Sequence, residues 1–176
     1  KKWEKYNRNQ IFELMHQLLD KAMEYDPDMI LWPETALPSY LRLSRKDRHP
    51  LQKKVNKYEI PLLSGTIDRE NSENKKPVYF NGSIFFQPQK PPEIYHKVKL
   101  VPFAEYVPLS GYFPSLNDLN FGQGNFTAGK EFTLFQFDNF SFANLICYES
   151  SLPDIVRKFV LKGAEFITIQ ANDGWL

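Results

Sequence analysis

Cys147 is the only cysteine in 176 residues, and it closes an apolar run, FANLI, with Tyr148 and Glu149 directly after it. A thiol attacks as the thiolate. A nucleophilic Cys147 therefore needs a group to take its proton and a donor to hold the oxyanion formed on a carbonyl substrate. Two other places put reactive groups directly after an apolar run. Glu34 follows MILWP, and Asn172, Asp173, Gly174 and Trp175 follow FITIQ. A fourth, YHKVKLVPFAEYVPL, sets Lys97, Lys99 and Glu105 among apolar residues, where charges are costly unless paired.

Each candidate also has a bland reading. A lone cysteine after an apolar strand is commonly a small buried hydrophobe. Glu34 alone reads as a capping or loop carboxylate, and Lys97 alone as a solvated lysine at a strand edge. His16, His49 and His96 are scattered and show no ligand spacing, so a metal site is not expected. None of the three stands at a strand tip to form a Cys–His pair. A carboxylate raised by burial can serve as base instead, with a lysine to balance its charge and steady the oxyanion. Glu34, Lys97 and Cys147 together make that set.

The elements that must position these groups follow from periodicity. Apolar residues at three- and four-residue spacing, Ile11, Leu14, Met15, Leu18, Leu19, Ala22 and Met23, predict a helix from Asn9 to Tyr25, ended by Asp26-Pro27. DMILWPE reads as a short buried strand stopped by Pro33, residues 38–50 as a polar surface loop, and LQKKVNKYEI as a short helix. PLLSGTIDRE and PVYFNGSIFFQPQ read as strands joined by the polar loop NSENKK, and PPEIYHKVKL as a turn and a short extended piece. Residues 101–130 are loop-like and rich in aromatics, among them Phe103, Tyr106, Tyr112, Phe113, Phe121 and Phe126. They are too many for a purely solvated loop. FTLFQF and FSFANLIC predict strands, LPDIVRKFVLKGA a helix opened by Pro153 and stopped at Gly163, and EFITIQA a final buried strand. Helices covering such strands indicate an α/β or α+β layered domain. If the strands share one sheet and one direction, the tips carrying Glu34, Cys147 and Asn172 meet at one edge.

Composition narrows the function classes. The chain is 42% hydrophobic, enough for a core, and carries 22 basic against 21 acidic residues. That balance gives no case for nucleic acid. One cysteine forbids an internal disulfide framework. No apolar run reaches about 18 residues. The chain opens KKWEKYNRNQ without a Met and stops at NDGWL, so a piece of a longer protein is expected.

Taken together, LWPET, YHKVKLVPFAEYVPL, ICYES and NDGW resemble the nitrilase superfamily, whose members use a Glu-Lys-Cys triad. Within it the likeness is to the apolipoprotein N-acyltransferases of bacterial envelopes. WPETALP is similar to that family's glutamate motif, and LVPFAEYVPL differs from its LVPFGEYVPL at Ala104. The resemblance runs in order over nearly the whole chain. It implies Glu34 as general base, Lys97 as the triad lysine, Cys147 as nucleophile, Glu105 as a supporting glutamate, and Tyr148 and Glu149 as residues that help form the site. Trp175 is implied as a substrate-binding aromatic near an acyl-chain entrance. The implied fold is an α/β, four-layer α-β-β-α sandwich, here incomplete at both ends, with residues 1–176 forming a truncated catalytic domain.

The implied reaction moves a fatty acyl group from a phospholipid, through a thioester on Cys147, to the N-terminal diacylglyceryl-cysteine amine of an apolipoprotein. No cofactor is implied. The implied setting is the bacterial inner membrane, reached through segments outside the chain, with the domain on the periplasmic side. Two other readings stay open: a soluble amidase in which water resolves the acyl-enzyme, and a non-catalytic binding domain of the same fold.

Overall fold

The computed structural model describes residues 5–72, 74–108 and 125–172. Helix α1 (Lys5–Ala22) starts ahead of the expected Asn9 and passes into a 3-10 turn, Met23–Tyr25. Asp26 then turns left-handed at φ 47° and ends it ahead of Pro27. Leu19 is buried, with Ile11, Phe12, Met15 and Ala22 packed beside it. Leu14 and Leu18, expected on this face, are 53% and 47% exposed, because the packed stripe runs through Ile11, Phe12, Met15, Leu19, Ala22 and Met23 and leaves them at its outer edge.

Strand β1 is only Ile30–Leu31. The expected loop 38–50 is shorter than its composition suggests, because helix α2 (Arg45–Tyr58) begins inside it and carries Pro50 in its second turn. The Ser44 hydroxyl donates to Asp47 Oδ2 at 2.7 Å across the first turn. Leu51 and Val55 then bury completely, which holds the helix through the proline.

Strands β2 (Leu62–Asn71), β3 (Pro77–Phe86) and β4 (Glu93–His96) follow. Beyond them come β5 (Phe135–Phe137), β6 (Phe140–Ile146), helix α3 (Pro153–Leu161) and β7 (Phe166–Gln170). β5 keeps only the end of FTLFQF. Gly163, at φ +110°, stops α3 as a C-terminal glycine should. β7 is half-buried rather than buried, with Ile169 54% exposed.

The strands do not share one sheet. They form a four-stranded sheet in the order β1-β2-β3-β4 and a three-stranded sheet in the order β5-β6-β7. β1 runs parallel to β2, β2–β3–β4 are antiparallel, and β6 and β7 are parallel. The tip bearing Glu34 thus belongs to one sheet, and those bearing Cys147 and Asn172 to the other. They meet across the sandwich, not along one edge.

Side-chain alternation builds both cores. Leu62, Ile84 and Phe86 point to α1 and α2, with Trp32, Leu37 and Leu51. Leu63, Phe85 and Tyr95 point the other way, to Phe135 and Phe142 of the second sheet and to Phe159 of α3. The order is α1/α2, sheet, sheet, α3, an α-β-β-α sandwich. Among the described residues, no helix is long and apolar enough to cross a membrane.

Candidate active site

Glu34 sits in a turn just past β1. The Trp32 amide still pairs with the Leu63 carbonyl at 2.8 Å, and Thr35 turns left-handed at φ 47°. Gly65 of β2 lies directly beneath. A Cβ there would stand 2.5 Å from the Pro33 carbonyl oxygen and 2.6 Å from Glu34 Cα. A glycine inside a strand is the mark of such a close approach, and Gly65 stands inside the strand segment PLLSGTIDRE. The Glu34 carboxylate accepts a hydrogen bond from Asn81 Nδ2 at 2.7 Å. Burial pushes its pKa up; the Asn81 bond, the Lys97 charge and the Asn172 backbone N–H pull against this without cancelling it.

Lys97 emerges from the end of β4, with its amide bonded to the Asn81 carbonyl at 2.8 Å and its carbonyl to the Gly129 amide at 2.8 Å. Gly129 is required there, since a Cβ would lie 2.2 Å from the His96 carbonyl oxygen. The Lys97 side chain is 1% exposed, and Nζ lies 3.0 and 2.9 Å from the two Glu105 carboxylate oxygens. An ammonium so buried is tolerable because it is paired. Glu105 is held in turn by the Val101 amide at 2.8 Å and by Asn81 Nδ2 at 2.7 Å. Asn81 therefore donates to both carboxylates. It is 3% exposed and is not singled out by the sequence; its signal is that it is one of two polar residues, with Ser83, in the otherwise apolar stretch FNGSIFF.

Cys147 begins a 3-10 turn, Cys147–Ser151, directly after β6. Its φ is +50°. A non-glycine residue in that region costs roughly 1–3 kcal/mol and persists only where its surroundings enforce it. Burial and the nearby Glu34 charge push the thiol pKa up, while Lys97 and the Tyr148 backbone N–H favour the thiolate. What Tyr148 brings to the sulfur is thus its amide.

Glu149 is fully buried and acts one step back. Its Oε1 accepts from the Tyr95 hydroxyl at 2.8 Å and from the amides of Val98 and Lys99 at 2.8 and 3.0 Å, and its Oε2 from the Ile146 amide at 2.9 Å. One carboxylate thereby ties the chain after Lys97 to the chain before Cys147. Burial raises its pKa against these donors.

Glu34, Lys97, Glu105, Cys147 and Glu149 are thus brought together with the Tyr148 amide. Trp175, like Asp173 and Gly174, lies outside the described residues. Of the aromatic loop, Phe103 is 45% exposed at φ +63°, while Tyr112, Phe113 and Phe121 lie outside the described residues. Among the described residues, ligand-type atoms of Asp68, Glu70 and His96 fall within 4.8 Å of one another. Arg42 already supplies positive charge there, with Nε 2.7 Å from Asp68 and Nη2 3.4 Å from Glu70.

A carboxyl held above its ordinary range, a buried ammonium and a thiol under one another's fields have the chemistry to accept a proton, hold an anion and attack a carbonyl. The carbon-nitrogen hydrolase family model matches residues 2–176. The chain belongs to that family. It is 34% identical over 198 residues to an apolipoprotein N-acyltransferase of Chlorobaculum tepidum, covering 99% of this chain and 37% of that one. It is 35% identical to one of Aquifex aeolicus, covering 97% and 38%. The chain thus spans little more than a third of these relatives' length. The fold matches a carbon-nitrogen hydrolase from Helicobacter pylori with a TM-score of 0.68 at 17% identity, over 93% of this chain and 55% of that one. It also matches an amidase from Nesterenkonia, solved with covalent addition at its active-site cysteine, with a TM-score of 0.65 at 14% identity, over 94% and 59%.

Proposed function

We propose that this chain is the catalytic domain of a bacterial membrane-associated apolipoprotein N-acyltransferase, with transmembrane segments outside this chain and the domain on the periplasmic side. The observation that carries the reading is the grouping of Glu34, Lys97 and Cys147 under one another's electrostatic influence, in a chain whose relatives at this identity carry that name.

In the first half-reaction Glu34 takes the thiol proton and the thiolate attacks the ester carbonyl of a phospholipid. Lys97 Nζ and the Tyr148 amide receive the oxyanion. The tetrahedral adduct collapses, the C–O bond breaks, and Glu34 returns the proton to the leaving alcohol of the lysophospholipid. A thioester on Cys147 remains. In the second half the amine of a diacylglyceryl-cysteine attacks that thioester, Glu34 takes the amine proton, the C–S bond breaks, and the proton returns to sulfur. Raised Glu34 basicity suits both transfers. Glu105 and Asn81 hold Lys97 and Glu34, and Glu149 holds the two strand ends in register. Trp175 and the aromatic loop are assigned to the acyl chain.

The test is incubation of the full-length protein with phospholipid vesicles, followed by mass spectrometry. One acyl mass on Cys147, absent in Cys147→Ser, is the expected result. Acyl groups elsewhere, or full transfer in the serine variant, overturn the mechanism. Release of free fatty acid with no transfer to a diacylated lipopeptide assigns the site to hydrolysis instead.

A further inference from the structure

Between the two sheets runs a buried polar chain that touches none of the reacting groups. Asn144 Nδ2 of β6 donates to Ser83 Oγ of β3 at 2.8 Å and to Gln170 Oε1 of β7 at 2.7 Å. Thr168 Oγ1 donates to Asn144 Oδ1 at 2.8 Å. Gln170 Nε2 crosses back to the first sheet and donates to the Trp32 carbonyl at 2.5 Å. Ser83 and Asn144 are 0% exposed and Gln170 is 1%. Apolar side chains would fill this interior with less demand on geometry, so a satisfied amide pair here fixes one arrangement of the strands rather than merely adding burial.

The positions of three of its members, Trp32, Asn144 and Gln170, give the chain its meaning. Trp32 lies two residues before Glu34, Gln170 two before Asn172, whose backbone N–H reaches the Glu34 carboxylate, and Asn144 three before Cys147. We propose that Asn144 and Gln170 are positioning residues that lock the tip of β1 against the tips of β6 and β7, and so set the distance from Glu34 to Cys147. This rests on the reading of Glu34 as base and Cys147 as nucleophile. The charged groups acting on the thiol are Glu34, Lys97 and Glu105, and Glu34 is the one tied through Trp32.

The test is the pH profile of Cys147 alkylation by iodoacetamide on the full chain, alongside single-turnover acylation. Glu34→Gln calibrates it: with the like charge removed, the thiol midpoint falls, and alkylation below that midpoint speeds about tenfold per unit of the fall. Gln170→Met keeps the volume and removes both amide bonds. Its midpoint is expected to shift in the same direction as in Glu34→Gln, with acylation slowed about tenfold or more. A purely structural role lowers the folded fraction and leaves the profile of the folded fraction in place. Should Gln170→Met fail to fold, the double variant Asn144→Leu, Gln170→Met replaces the donor–acceptor pair by apolar groups and carries the same test. A folded variant with the native profile, where Glu34→Gln shifts it, overturns the positioning role alone. A native profile in Glu34→Gln itself overturns the base assignment and the positioning role with it.

Discussion

Gly65→Ala isolates the contact that seats Glu34. The added Cβ would meet the Pro33 carbonyl oxygen at 2.5 Å, Glu34 Cα at 2.6 Å and the Thr35 amide nitrogen at 2.6 Å, against ordinary contact from 3.4 Å. All three are backbone atoms, so no side chain can rotate away. β2 is hydrogen-bonded to β1 on one side and to β3 on the other, with Gly65 opposite Ser83, so the strand has little freedom to yield. The turn 33–35 must retreat by about 1 Å, and it carries the carboxylate. Overpacking of this kind costs about 1–3 kcal/mol. For a chain of this size that lowers Tm by a few to about ten degrees. Catalysis is the more sensitive readout, because a displacement of about 1 Å can cost a hundredfold in rate. Single-turnover acylation of Cys147, followed by mass spectrometry at a temperature where the variant is folded by circular dichroism, should slow by about one to two orders of magnitude. A folded Gly65→Ala protein that acylates at the native rate refutes the claim that this glycine seats the base.

Three other buried side chains give further outcomes. In Asn81→Leu the donor that moderates Glu34 is gone, so its carboxyl rises further and the acid limb of the acylation pH profile moves to higher pH; an unmoved limb assigns Asn81 to packing. Glu149 has a folded pKa above its ordinary 4.5, so its contribution to stability is full below that value and declines as pH climbs through the folded pKa. Glu149→Gln should start about 1–3 kcal/mol less stable, since an amide nitrogen cannot accept from the Ile146 N–H, and should show a flatter pH dependence in urea titrations. Asp68 behaves oppositely: burial raises its carboxyl, but His96 and Arg42 outweigh that and hold it below its ordinary 3.8. Its contribution is present above that value and lost as pH falls through the folded pKa, so the destabilisation of Asp68→Asn, about 1–3 kcal/mol at neutral pH, should shrink in acid.

The elements were largely readable because they depend on near neighbours along the chain. Helical spacing marked α1, the Pro153 and Gly163 boundaries marked α3, and NSENKK marked the β2–β3 hairpin. Where reading failed, a distant contact had decided the outcome. Composition places a loop over residues 38–50, yet the burial of Leu51 and Val55 and the Asp47 contacts carry α2 back to Arg45. Leu14 and Leu18 fit the helical pattern and still face solvent.

By itself, the sequence determined which groups could react and that each of Glu34, Lys97 and Cys147 adjoins an apolar extended segment. It could not assign those segments to two sheets, because strand pairing is set by hydrogen-bond register between residues dozens of positions apart. Asn81, which serves Glu34 from 47 residues away and Glu105 from 24, and Gln170, which reaches the Trp32 carbonyl 138 residues back, acquired their roles only when the sandwich closed around them. Buried polar side chains draw their meaning from partners, and those partners are chosen in three dimensions.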